Sequence, residues 1–241
     1  MGRVVTFAQL TPQTSGGGVS TAAITGGDVR AMGAAFIRIE PGKRWSDSAP
    51  DGSDCYLFVL GGSGAIAVGD ARHRLSPQAF ATVEERQSFA IDNDGTGAID
   101  IVRVLAPPAQ AGERRLAGFD QKLRVAERGK TPIVDIPAEK KRRIYFVGHG
   151  AAHSARGHAM IVVYAKDTVT GLHHHPNAES MFVPLDGALQ FTVNGEQVTV
   201  APGQAAYFAM HDTHGLRVAD GHSGASFLEF HIPAAFTTVR E

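Results

Sequence analysis

The stretch Gly171-Leu172-His173-His174-His175-Pro176-Asn177-Ala178-Glu179-Ser180-Met181-Phe182-Val183-Pro184-Leu185-Asp186-Gly187 decides how the rest of the chain is read. Three consecutive histidines precede a Pro-Asn turn signal, and an apolar run closed by glycine follows it. Side chains alternate between faces along an extended strand, so His173 and His175 share one face and His174 takes the other. Glu179 stands where the chain re-enters a strand. Further on, Pro202-Gly203 turns the chain into a short apolar strand, and His214 follows it. Two imidazoles, a carboxylate and a third imidazole form a mixed nitrogen and oxygen set. Such a set suits Fe, Mn, Ni, Co or Zn and lacks the thiolates of a structural zinc site.

Working outward, the chain has 241 residues with 28 Gly and 12 Pro, placed between short runs rich in Val, Ile, Phe and Ala. That rhythm predicts an all-β fold. Strands are expected at 34–39, 56–60, 80–83 and 98–105, then at 159–165, 180–183, 189–193, 197–200, 205–208 and 225–232. Asn194-Gly195 reads as a type I′ hairpin turn. The charged stretch between the halves reads as a solvated linker with one short helix near 120–128, or with a basic docking patch at 140–143.

Sliding the chain on itself by 125 residues aligns 48–108 with 173–233 without a gap and keeps apolar positions, turns and strand ends in register. The reading is two tandem small β-barrels, at 1–106 and 144–241, joined by a 107–143 linker. Under this shift His173, His175, Glu179 and His214 fall on Ser48, Pro50, Asp54 and Phe89, so the first barrel is expected to be a scaffold without metal. Of the 11 histidines, only His73 precedes the second half.

The residues quoted above resemble the cupin family. Its first motif, G-x5-H-x-H-x(3,4)-E-x6-G, is resembled by His173-x-His175-x3-Glu179 and Gly187; its second, G-x5-P-x-G-x2-H-x3-N, by Gly195, Pro202-Gly203 and His214. The chain is similar to a bicupin, an all-β protein of two tandem double-stranded β-helix (jelly-roll) barrels. The resemblance implies that His173, His175, Glu179 and His214 hold one divalent transition metal. It departs from the family pattern at three points. Asp167 replaces the leading glycine, Ser180 competes with Glu179 for the carboxylate position, and His214 is followed by Gly215, Leu216 and Arg217 with no asparagine.

Around these, His231 alternates with Glu229 on the last strand and is a candidate base or substrate contact. Tyr164 is expected to offer a phenol to the cavity or to pack in the core, and Arg217 to hold a substrate carboxylate or to be a strand-end charge. His174 is expected outside the barrel, His211 at a loop tip, and Cys55 as a small apolar group in the core.

The implied function is a metal-dependent enzyme acting on a small oxygenated or carboxylated metabolite. Dioxygenase chemistry similar to quercetinase-like cupins is placed ahead of a hydrolase, lyase or isomerase such as a ureidoglycine aminohydrolase. A non-enzymatic metal- or ligand-binding cupin is the other class. A net charge of −1 and the absence of a helix-turn-helix pattern argue against nucleic acid as partner. One Cys excludes an internal disulfide. With no long apolar run or leader pattern, a cytoplasmic protein away from membranes is expected, a homodimer by analogy with duplicated cupins.

Overall fold

The computed structural model describes residues 2–14, 17–26, 31–106, 122–152, 154–193 and 195–241. Over these the chain is built from antiparallel strands in two compact units, Leu10–Thr131 and Met1–Gln9 with Pro132–Glu241.

In the second unit a seven-stranded sheet runs in the order Arg3–Thr6, Gln204–Phe208, Glu179–Asp186, Gly224–Ile232, His158–Ala165, Lys141–Val147, Ile133–Ile136. A five-stranded sheet runs Glu196–Val200, Leu189–Val193, His214–Val218, Val169–His174, Val239–Arg240. Their inner faces enclose a core in which Phe182, Phe191, Phe208 and Phe227 are buried with Met160, Val162, Leu189 and Leu216. Apolar side chains at every second position explain this, because the strand period of two sends them all to one side.

The first unit has the same plan. Its larger sheet runs Leu123–Ala126, Phe80–Val83, Asp54–Gly61, Ile99–Ala106, Gly33–Ile39, Val19–Ala23, Gln13–Thr14, and its smaller one Arg44–Ser48, Ser88–Asp92, Gly64–Val68, Ala71–Leu75. The 125-residue shift carries over strand by strand: Asp54–Gly61 falls on Glu179–Asp186, Gly64–Val68 on Leu189–Val193, and Ala71–Leu75 on Glu196–Val200. Gly62 and its equivalent Gly187 both adopt positive φ, 79° and 67°. A Cβ at either would lie 2.3 Å from a backbone oxygen, of Ala98 and Gly224 respectively. Only glycine fits that strand-end corner in each copy. Asp167 stands opposite Gly42 and still adopts the left-handed conformation at φ 62°, a region aspartate tolerates better than most residues.

Three expectations need correction. The 107–143 segment is not a single linker: 107–121 lies outside the described residues, Leu123–Ala126 pairs with Phe80–Val83, and Ile133–Ile136 and Lys141–Val147 belong to the second unit. The barrel limits 1–106 and 144–241 shift accordingly, and Arg3–Thr6 pairs with Gln204–Phe208 of the second unit. In place of a helix at 120–128, the described residues form the 123–126 strand and a short 3-10 turn, Arg128–Lys130. The composition misled because outward charges on these strands are paired, as in Arg142 with Asp135 at 2.6 Å. The expected hairpin is present, with Val193 paired to Glu196 and Gly195 at φ 84°; Asn194 lies outside the described residues.

Candidate metal centre

His173 lies at the end of the strand Val169–His174 and is the direct antiparallel partner of His214. The register between these strands slips between Thr170 and His173, a local irregularity that re-aims side chains where the site begins. His175, two residues on, returns to the same face. The ring centroids lie 4.4 Å apart for His173 and His214, 5.1 Å for His173 and His175, and 5.6 Å for His175 and His214. One ligand atom from each lies within 4.8 Å of the others, and all three residues are buried.

Backbone carbonyls fix how each ring is used. Nδ1 of His173 bonds Gly171 O at 2.9 Å, that of His175 bonds Thr237 O at 2.9 Å, and that of His214 bonds Asp212 O at 3.0 Å. A carbonyl only accepts, so Nδ1 carries the hydrogen in all three rings and Nε2 keeps its lone pair. Nε2 of His175 and Nε2 of His214 are buried with no hydrogen-bond partner. Burial lowers the pKa of all three, to about 4 for His175 and about 3 for His214. They are therefore neutral near pH 7, the form a metal needs. Unsatisfied buried lone pairs on converging neutral imidazoles fit a divalent transition metal. Phe208 stacks on His214, with centroids 4.2 Å apart and planes 18° apart, and closes one side.

Glu179, the expected carboxylate of the set, is not in this group. It is 1% exposed, and strand alternation puts Ser180 and Phe182 on the cavity side and Glu179 on the opposite face. The extra residue between His175 and the strand makes the difference, and Ser180 takes the inward position. Its Oγ lies 2.9 Å from Nδ1 of His231.

His173 and His175 border a cavity of about 320 Å³. His231 and Tyr164 both line it. Nε2–H of His231 donates to Glu229 at 2.5 Å, and the ring stacks on Phe236 at 4.0 Å. Burial pushes the Glu229 carboxyl up, but the His231 hydrogen bond, with the nearby charges of His231, His158 and Arg143, outweighs it and holds the group below the usual carboxylate range. Tyr164 shares a hydrogen bond with the Thr170 hydroxyl, and burial raises its pKa. Arg217 is a correction: alternation along His214–Val218 sends it outward, where it pairs with Asp220 at 2.8 Å. His174 also lies away from the group, 6.0 Å from the exposed His211 ring. Cys55 is buried in the core of the first unit.

Sequence reasoning missed Arg143, Tyr145, His158 and Phe236, all of which line the cavity. The available signal was the alternation Lys141, Arg143, Tyr145 inside a run taken for linker. The equivalent place in the first unit is filled by rings, with Phe89 3% exposed and meeting Trp45 edge-on at 5.3 Å. A hollow of about 510 Å³ on that unit has Arg103 as its charged lining residue among the described residues, paired with Asp47.

Residues 160–231 match the family model described as Cupin domain. Comparison with curated proteins finds no match. Among solved structures, the fold is similar to the protein Ylba from E. coli, a DUF861 protein (TM-score 0.74, 9% identity, 96% of this chain and 90% of that one). It is also similar to a putative glyoxylate induced protein from Pseudomonas aeruginosa (0.74, 13%, 100% and 88%). A third likeness is to the formate complex of Lactobacillus farciminis oxalate decarboxylase (0.72, 12%, 98% and 88%). No helix among the described residues is long and apolar enough to cross a membrane. The histidine-bearing unit therefore carries a cupin domain over residues 160–231, and the doubled all-β barrel of the whole chain is similar in fold to these solved structures.

Proposed function

We propose that the second unit is a metal-dependent enzyme acting on a small oxygenated or carboxylated metabolite. The observation that carries this reading is the convergence of His173, His175 and His214, neutral and buried, beside a cavity lined by His173, His175 and the Glu229–His231 pair. A metal bound there supplies Lewis acidity and an open position for substrate, O₂ or water. The chain does the rest. Phe236 and Phe182 shield the cavity from water, while Arg143 and Lys141 give it positive charge. Glu229, kept ionised and backed by His231, is placed to take up a proton and to return it.

Dioxygenase chemistry is the first reading. Cleavage without O₂, by a lyase or hydrolase, is the second, and the buried Glu229–His231 pair favours it because such reactions turn on moving a proton. One of the solved structures of similar fold is an oxalate decarboxylase, which adds the release of CO₂ to what should be measured. The proposal includes a homodimer, checked by light scattering. Elemental analysis of the purified protein should find one divalent transition metal per chain. Incubating it with short oxo-, hydroxy- and dicarboxylic acids while following O₂ uptake and CO₂ release separates the two readings. Neither gas changing and no substrate consumed, with the metal in place, would count against an enzyme.

A further inference from the structure

The second unit holds two buried polar atoms that the histidine group does not explain. Nε of Arg143 and Nδ1 of His158 are shielded from solvent and have no hydrogen-bond partner, and both residues line the cavity beside His173 and His175. A guanidinium Nε–H is always a donor. Left unpaired in a buried site it is costly, and the natural remedy is an acceptor that arrives with the ligand.

The charges around it say which kind. Lys141 is held by Glu139 at 3.1 Å and by Thr170 at 2.8 Å, and Glu229 is held by His231. Those pairings leave two guanidinium groups on the cavity wall, the exposed Arg240 and Arg143; Arg143 hydrogen-bonds Tyr145 yet keeps its buried Nε unpartnered, and it stands on the strand Lys141–Val147, in the sheet facing the histidines of Val169–His174 and His214–Val218. A planar, always charged fork is suited to a carboxylate. The cavity's volume, about 320 Å³, is at the small end for ligand pockets.

We infer that Arg143, assisted by His158, is the carboxylate anchor of this cavity, which takes a short acid with an oxygen function at its other end, a 2-oxo acid or a small dicarboxylate. The inference rests on the cavity being the active site, as proposed above. One end of the ligand faces the histidine group and the other is fixed by Arg143, so a neutral analogue of the same size loses half of its recognition.

The test uses the full chain, metal-free and loaded with Co(II), whose visible absorption reports both loading and changes at the histidines. Pyruvate, malonate and, as an uncharged control, pyruvamide are titrated into wild type, Arg143→Lys, Arg143→Gln and His158→Asn, by absorption and by calorimetry. Arg143→Gln is expected to weaken pyruvate and malonate about 10- to 100-fold, and Arg143→Lys about as much because a lysine has no fork. His158→Asn should weaken them by a smaller factor, with Co(II) uptake unchanged in all three variants. Pyruvamide should bind far more weakly than pyruvate.

Equal binding of the acids by wild type and Arg143→Gln, or of pyruvamide and pyruvate by wild type, overturns the anchor. Stoichiometric Co(II) with no carboxylate binding also overturns it and leaves the metal centre standing. Calorimetric binding of malonate that depends on Arg143, in a protein that takes up no Co(II), supports the anchor and removes the metal-dependent reading.

Discussion

His175 and Thr237 are joined across 62 residues of chain: the imidazole Nδ1–H donates to the Thr237 carbonyl at 2.9 Å. That bond fixes the ring's tautomer and points Nε2 toward His173 and His214. It depends on a segment held at its two ends, where the Ala234 N–H donates to Ala155 O at 3.2 Å and Val239–Arg240 pairs with His173 and His174. Asn177 supplies the grip, its amide NH₂ donating to Ala235 O at 2.9 Å and its carbonyl accepting the Thr237 N–H at 2.8 Å. The same clasp places Phe236 against His231 and His175. One exposed asparagine thus orients a candidate ligand and positions a ring that closes the cavity.

Replacing Asn177 by Ala should therefore loosen 234–238 while leaving the barrel intact. Partners that orient a metal ligand through a hydrogen bond typically matter by about 10- to 100-fold in metal affinity. We expect a loss in that range by competition with a chelator, together with faster proteolysis near Phe236. Unchanged metal affinity would show that the Thr237 carbonyl keeps its place without the clasp.

His175→Ala should abolish metal binding without unfolding the protein. The core around the site is made by Phe182, Phe191, Phe208 and Phe227, none of which needs an ion to pack. Wild type should hold one equivalent of metal and the variant well under a tenth. Metal at a thousandfold excess over Kd stabilises the native state by about 4 kcal/mol, so added metal should raise the melting temperature of wild type only. Aggregation of the variant at room temperature would mean that the metal is structural.

How much was legible in the sequence follows from which side chains face inward. All ten strands expected from apolar runs are present, because buried strands advertise themselves by composition. Strands such as Arg44–Ser48, Ala71–Leu75 and Lys141–Val147 were missed, since their outward charges form cross-strand pairs. Asp92 joins Arg44 and Arg72 in this way, at 2.9 and 2.7 Å. In the linear sequence such a pair looks like a solvated loop. The histidine group was legible from its spacing. The anchor candidate Arg143 was not, because it sits among Lys140, Lys141 and Arg142. Nor was the inward turn of Ser180 over Glu179, which depends on how many residues the chain spends between His175 and the next strand.

Glu179→Gln tests that last point. With Glu179 on the face opposite the histidines, the variant should keep one metal per chain at near wild-type affinity, even if loss of a buried carboxylate lowers its stability. Elemental analysis after dialysis reads the outcome directly. Loss of the metal would put the carboxylate back into the ligand set and refute a three-histidine centre.

The last prediction concerns pH and the metal-free protein. His158 is held mainly by burial, then by the nearby His231, at a pKa of about 4, well below the ordinary value of 6.5. Above pH 6.5 the ring is neutral whether the chain is folded or not, so it imposes no penalty. As pH falls toward 4 the unfolded chain takes up a proton that the folded one still refuses, and stability drops. For one such group the loss by pH 4.5 is about 2 to 3 kcal/mol. His175 and His214, depressed in the same direction, add to it until a metal occupies them. His158→Gln removes only the first contribution. Urea unfolding of metal-free wild type and variant at pH 7 and pH 4.5 should show the wild type losing more stability across that interval, by about the amount given. Equal losses would mean that the His158 ring takes up its proton in the folded state near its ordinary pKa, and that the wall of the cavity beside it admits water.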